Sequence, residues 1–231
     1  MCYLALIWVH RYIPTQDGPS HLANAQMLKD LLIAGKTPGE EHFYVVKRPF
    51  PNWGYYVLVG ALTAVLKPIA AEKVFLSLYI CGFAAAVYRL ARATARPAAA
   101  AAAAIAALPF ALSVPYHMGF FNYVAGVVIY FVALGYLWGR RDRVGWREMG
   151  VLNALAVSAY FFHLVPALLL VGSCHLLFFF TAGGWGRRIQ AHVGLLPAWS
   201  FPLYYLVSRW GAGRTWLPRS DLLKSLSLIH I

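Results

Sequence analysis

A carboxylate, an imidazole and a carboxamide stand at helical spacing near the start of the chain. They are Asp17, His21 and Asn24, in the stretch PTQDGPSHLANAQMLKDLLIAG. Residues three and four positions apart lie on one side of a helix, so the spacing predicts that these side chains share one face. An aspartate near its reference pKa of about 3.9 is ionised at neutral pH and can accept a proton from a hydroxyl group. The alternative is that Asp17 only caps the helix and complements its dipole.

The residues around this trio predict the helix that positions them. Asp17, Gly18 and Pro19 combine a capping acid, a turn glycine and a proline suited to a first helical position. Apolar side chains then recur on one face, at Leu22, Ala25, Leu28 and Leu32, and Gly35 is the predicted end. We expect an amphipathic helix on a membrane surface.

Composition places this helix in a membrane protein. Of the 231 residues, 61% are hydrophobic and only 12% are charged, too few to cover a water-soluble surface of this size. The net charge of +12 comes largely from arginines in short clusters between apolar segments, which is typical of cytoplasmic loops and not of a nucleic-acid interface. The three cysteines have neither metal-type nor redox-type spacing. We therefore expect an all-α, polytopic transmembrane helix bundle that binds no nucleic acid.

The apolar segments give the number of predicted membrane spans. The segment 53–66 would form a helix of only about 21 Å, against a hydrocarbon core of about 30 Å, so we interpret it as a juxtamembrane or re-entrant helix. The segment 151–180 is long enough for one and a half spans and contains Pro166, which predicts two helices broken near His163. The other predicted spans are 74–88, 98–114, 118–138 and 191–207.

The arginine clusters orient these spans. The positive-inside rule places them in the cytoplasm: Arg89, Arg92, Arg96, Arg140, Arg141, Arg143, Arg147, Arg187 and Arg188. One arrangement satisfies all of them, with the polar loop 14–67 outside the cell.

We interpret the chain as a single, truncated membrane domain. Residues 1–13 are the predicted end of a first transmembrane helix, 14–67 an extracytoplasmic loop with juxtamembrane amphipathic helices, and 68–224 the transmembrane bundle. Residues 225–231, SLSLIHI, are interpreted as a non-native tail. The expected location is a bacterial inner (plasma) membrane.

The layout and two motifs resemble the GT-C superfamily of membrane glycosyltransferases. A short helix precedes the acidic motif DGPSH, which opens the amphipathic helix, and a basic aromatic stretch, FYVVKRPFPNWGYY, leads into the bundle. The resemblance implies a polyprenyl-phosphate sugar donor and makes Asp17 the catalytic base or a metal ligand. Two features depart from the family pattern. Gly18 follows Asp17 where many members have a second acid, and His117 stands in the next outer loop where an acid is often found.

The resemblance also implies roles for neighbouring residues. Lys47 or Arg48 would hold the donor phosphate as the glycosidic bond breaks. His21, Asn24, His117 and Asn122 are the other predicted substrate-binding residues, and the expected partners are membrane lipids and the lipid-linked sugar donor. The cofactor is left open: a divalent metal is one option, and Asp17 with His21, His117 and His163 could ligate zinc.

A non-catalytic function remains open beside the enzymatic one. The chain could be a transporter, a lipid-binding protein or a scaffolding relative of the same fold. The predicted spans contain no acidic residue, which argues against a proton-coupled transporter. The unpaired acid at Asp17 favours the scaffold.

Overall fold

The computed structural model describes residues 2–33, 48–181 and 183–210, and within these ranges the regular structure is helical with no strand. The α-helices are α1 Cys2–Val9, α2 Gly18–Ile33, α3 Trp53–Leu62, α4 Pro68–Arg92, α5 Pro97–Ala111, α6 Val114–His117, α7 Phe121–Arg140, α8 Trp146–Phe162, α9 Leu164–Thr181, α10 Gly184–Gly194 and α11 Ser200–Trp210. Two short 3₁₀ turns, Arg141–Arg143 and Leu196–Trp199, follow α7 and α10.

Three of the described helical segments are long and apolar enough to cross a membrane. They are Pro68–Arg92, Phe121–Arg143 and Leu164–Thr181, while α3 and α5 are apolar but shorter. At about 1.5 Å per residue, α4 reaches roughly 37 Å and α3 only about 15 Å. α3 is thus shorter than a membrane span, and its interpretation as a juxtamembrane or re-entrant helix stays a prediction.

Close helix contacts set the directions of the long helices. α4 and α7 run side by side in the same direction, because Phe121 begins α7 near the start of α4 and Gly135 later packs on the backbone of Leu90. α8 and α9 reverse direction at Phe162 and Pro166, whose side chains both pack on Gly126 of α7. The result is an up-and-down arrangement around two buried apolar clusters.

This arrangement gives the molecule two distinct ends. We call the loop end the part formed by residues 13–21, α3, α6 and the first turns of α4 and α7. We call the arginine end the part formed by the last turns of α4, α7 and α9, the 3₁₀ turn Arg141–Arg143 and the start of α10. The loop end and the arginine clusters of the described residues therefore lie at opposite ends of the bundle.

The predicted break in the segment 151–180 is confirmed. α8 ends at Phe162, His163 is extended, and α9 begins at Leu164. Pro166 lies in the first turn of α9, where its missing backbone N–H costs no helical hydrogen bond.

Two predicted spans need correction. The segment 191–207 is not one helix, because α10 ends at Gly194 and the 3₁₀ turn containing Pro197 separates it from α11. The predicted span 74–88 is the middle of a longer helix that begins at Pro68, and its first turns therefore include Glu72 and Lys73. Glu72 is an acidic residue within this helix, so the prediction that the spans contain no acidic residue is wrong. Gly35 and the tail 225–231 lie outside the described residues.

Candidate functional site

The Asp17 loop is held against the turn between α6 and α7 by backbone hydrogen bonds. The Gln16 N–H donates to the His117 carbonyl at 2.9 Å, and the Asp17 N–H donates to the Met118 carbonyl at 3.2 Å. Gly119 closes this turn with φ +85°, and a Cβ there would lie 2.7 Å from the Gly18 nitrogen. Only glycine fits this conformation and contact, so Gly119 fixes the loop that carries Asp17.

Asp17 stands where the sequence predicts, directly before α2. The helix begins at Gly18, and the His21 N–H donates to the Asp17 carbonyl at 3.0 Å. Asp17 is half-buried. The residue directly before a helix is where an acidic side chain suits the helix dipole, so Asp17 stands at a position typical of a helix cap.

His21 and Asn24 meet on the hydroxyl of Tyr56. His21 Nδ1 lies 2.7 Å from Tyr56 Oη, and the Asn24 side chain hydrogen-bonds the same hydroxyl. Burial raises the pKa of Tyr56 to about 12, and the Asn24 bond offsets part of this. Tyr56 is therefore protonated at neutral pH, and its O–H is available to donate to His21 Nδ1.

Tyr55 connects three elements at the loop end from a fully buried position. Its hydroxyl donates to Glu72 Oε1 on α4 at 3.1 Å, and its backbone N–H donates to Asn122 Oδ1 on α7 at 2.8 Å. Burial and the neighbouring Glu72 carboxyl raise the pKa of Tyr55, which keeps the hydroxyl a donor. The Asn122 amide in turn donates to the Asn52 carbonyl at 3.1 Å.

The Asn122 side chain thus holds the start of α3. Asn52, directly before α3, has φ 72°, a conformation that asparagine adopts more readily than most residues. Asn122 is 7% exposed, and both its carboxamide groups have protein partners. Its observed contacts are those of a residue that positions the start of α3.

An apolar groove runs beside α3, between the end of α2 and the end of α8. It encloses about 640 Å³, and its lining includes Leu32, Trp53, Val57 and Phe162. Arg48 is the only charged side chain among the described residues that line it. The exposed lining of the groove is almost entirely apolar, and the residue Arg48 adjoins it.

The other predicted residues lie apart from this groove. The exposed His117 side chain borders a separate cavity of about 180 Å³ near α1. His163 Nδ1 accepts the Val165 N–H at 3.2 Å and its ring packs on Tyr123. Among the described residues, no three His, Cys, Asp or Glu side chains are grouped so that they could hold a metal ion. Lys47 lies outside the described residues.

Sequence reasoning missed the buried residues that support the site. Glu72 stands in AAEK, between two predicted segments, and looks like a solvated loop residue. Tyr55 and Tyr56 end the basic aromatic stretch and look like headgroup anchors, yet Tyr55 is fully buried. A signal for Glu72 was Pro68, since proline favours a first helical position and a helix that begins there contains Glu72.

No family model, curated protein or solved structure matches the chain. What the protein does is therefore inferred from the residues themselves. At the loop end, half-buried Asp17 and His21 lie at the start of α2, and the apolar groove with Arg48 borders the end of the same 16-residue helix, about 22 Å away.

Proposed function

We propose that this protein is a polytopic membrane glycosyltransferase of the GT-C type. It would transfer a sugar from a polyprenyl-phosphate donor to an envelope acceptor on the extracytoplasmic face of a bacterial inner membrane. Three long apolar helices support the membrane location. The separation of the loop end from the arginine clusters supports the orientation, with the arginines in the cytoplasm.

The observation that carries the proposal is the apolar groove with Arg48 at its edge. A polyprenyl phosphate has a long apolar tail and a compact anionic head. The groove offers apolar side chains such as Trp53 and Phe162 to the tail. We assign the phosphate contact to the guanidinium group of Arg48, an exposed residue that adjoins the groove. Arginine suits this role because its planar donors match phosphate oxygens.

The proposed reaction uses Asp17 as the general base. The Asp17 carboxylate takes the proton of an acceptor hydroxyl while that oxygen attacks the anomeric carbon of the donor. The new glycosidic bond forms as the bond from the sugar to the phosphate oxygen breaks, with inversion at the anomeric carbon. The bonding electrons leave with the polyprenyl phosphate.

The first test is a donor-cleavage assay with the wild-type chain in proteoliposomes. Polyprenyl-phosphate sugars are supplied with envelope extract as the acceptor source, and release of polyprenyl phosphate is followed. We expect release, and we expect Arg48→Gln to raise the KM for the donor about tenfold through loss of one charge-assisted contact. Arg11→Gln, which removes another exposed arginine near the loop end, is the matched control and should leave the KM unchanged. No release from any donor by the wild type would refute the proposal.

A lipid-binding protein without catalysis is the second candidate, and the apolar groove also favours it. Both candidates predict that Arg48→Gln weakens lipid-phosphate binding. Only the transferase predicts that the wild type releases polyprenyl phosphate, so the same assay separates them.

A further inference from the structure

A basic pocket lies at the arginine end, away from the site proposed above. It encloses about 420 Å³ between the 3₁₀ turn after α7 and the junction of α9 with α10. The lining residues that matter here are Arg141, Asp142, Arg143, Thr181, Gly183 and Arg187. The pocket joins parts of the chain about forty residues apart in sequence.

The pocket has an excess of positive charge. Three arginines and one aspartate are among its described lining residues, a formal balance of three minus one, or +2. The aspartate neutralises little of this charge. The Asp142 side chain is 80% exposed, and its carboxylate is 4.0 Å from the Arg141 guanidinium. An exposed ion pair at this distance has a small interaction energy in water. An anion bound in the pocket would balance the remaining charge.

Arg141 is already held in place at the pocket wall. Its Nη1 donates to the Trp138 carbonyl at 2.8 Å, and its guanidinium carbon lies 4.9 Å from the centre of the Trp138 ring. These contacts use one donor of a group that has five. The others remain for a ligand, and less side-chain entropy is lost when the ligand binds.

The start of α10 adds a second source of positive potential. Gly183 precedes the helix without any side-chain hydrogen bond to the first turn, and Gly184 has φ +73°, which favours glycine. The first N–H groups of a helix lack helical partners and its dipole is positive at that end. Gly183 lines the pocket, so this end of α10 adjoins the three arginines and favours an anion there.

The surroundings of the pocket indicate a lipid headgroup. The candidate spans Phe121–Arg143 and Leu164–Thr181 both end at it. Large aromatic side chains close to it in sequence are exposed, namely Trp146, Phe180 and Trp185, as in the aromatic belts at membrane interfaces. A pocket at this depth borders the phosphates of the membrane surface.

We propose that this pocket binds the phosphate group of an anionic phospholipid at the cytoplasmic membrane surface. Arg141 and Arg143, on the 3₁₀ turn after α7, and Arg187, on α10, would bind the phosphate together. Guanidinium groups bind phosphate oxygens in pairs, and basic pockets between helices on this face of a membrane suit anionic headgroups. The site does not depend on the transferase activity.

The experiment measures lipid binding by the full chain in neutral detergent micelles. The ligands are phosphatidylglycerol, phosphatidylcholine as the zwitterionic lipid, and inorganic phosphate as the soluble source. The test variant is Arg143→Gln/Arg187→Gln. The matched control is Arg89→Gln/Arg96→Gln, which removes two exposed arginines outside the pocket.

We expect saturable binding of phosphatidylglycerol that weakens about tenfold or more in the pocket variant and less than about threefold in the control. Arg143→Lys/Arg187→Lys keeps the charge but not the paired donors, and should recover only part of the affinity. Binding of inorganic phosphate that is lost in the pocket variant, without saturable binding of phosphatidylglycerol, would assign the site to a soluble phosphate and overturn the lipid proposal. Equal losses in both glutamine variants, or no loss in the pocket variant, would overturn the proposal. Elution of every variant as a monodisperse species by size exclusion separates loss of binding from loss of folding.

Discussion

At the loop end, Tyr55 is buried and hydrogen-bonds the buried side chains of Asn122 and Glu72, which lie on two other helices. At the arginine end, by contrast, Arg143 and Arg187 are exposed around an open pocket. Buried polar groups are costly when they lose a partner, because water cannot replace it. Exposed charges lose little when their neighbours change. Single substitutions at the loop end should therefore lower the stability of the fold. Substitutions at the arginine end should change the stability little but weaken ligand binding.

The largest expected loss of stability comes from Asn122→Ala. The substitution leaves the buried Tyr55 N–H and the Asn52 carbonyl without partners, which should cost about 2 to 4 kcal/mol. Thermal unfolding in detergent measures this loss. Equal stability of Asn122→Ala and the wild type would show that the contact does not hold the start of α3.

Gly119→Ala should destabilise the Asp17 loop by about 1 to 3 kcal/mol. The added methyl group meets the Gly18 nitrogen at 2.7 Å in a backbone conformation unfavourable for alanine. Gly150→Ala is the matched control, because nothing lies within 4 Å of a Cβ added to that helical glycine and alanine is the better helix former. If both variants were as stable as the wild type, the close contact at Gly119 would not constrain the loop.

A smaller effect is expected from the titration of His163. Burial lowers the pKa of His163 in the folded protein, and its Nδ1 accepts the Val165 N–H, a bond that protonation of Nδ1 would remove. The unfolded state therefore binds the proton more readily, so this contribution to stability is complete above the ordinary pKa of about 6.5 and declines as the pH falls below it.

The measurement is the apparent Tm of His163→Gln between pH 7.5 and 5. We expect the variant to lose less stability over this range than the wild type, by under about 1 kcal/mol given its partial exposure. His10→Gln, at an exposed histidine, should follow the wild-type profile. Identical profiles for all three proteins would exclude His163 as an acid-sensitive cap of α9.

The smallest effect on stability is expected at the arginine end. Arg143→Gln/Arg187→Gln removes two exposed charges that line the same pocket, and the free energy of unfolding should change by no more than about 0.5 kcal/mol. Thermal unfolding in detergent without phospholipid measures this change. A loss as large as that of Asn122→Ala would contradict the contrast between the two ends.

The fold was predictable where apolar runs and helix-breaking residues coincide. Asp17 and Pro19 marked the start of α2, and the long segment with Pro166 marked the break at His163. The segment 191–207 misled the prediction, because apolar content does not reveal that the turn at Pro197 interrupts the helix.

The candidate site was less predictable, because its supporting contacts join residues distant in sequence. Asn122 was expected to bind substrate, but its carboxamide bonds to groups about seventy residues away. The burial of Glu72 was not predicted, because its partner Tyr55 is brought to it only by the packing of α3 on α4. His21 and Asn24 were placed on one helix face by their spacing, but their common partner Tyr56 follows from the fold.

The role of Asp17 as the general base is tested by the rate of donor cleavage in Asp17→Asn, measured beside Asp30→Asn. Both variants remove a carboxylate at or within α2, and Asp30 pairs with Lys29 at 2.9 Å. We expect Asp17→Asn to lower kcat by a factor of about 10² to 10⁴, the usual contribution of a general base, and Asp30→Asn to keep the wild-type rate. A wild-type rate in Asp17→Asn would contradict the assignment of Asp17 as the base.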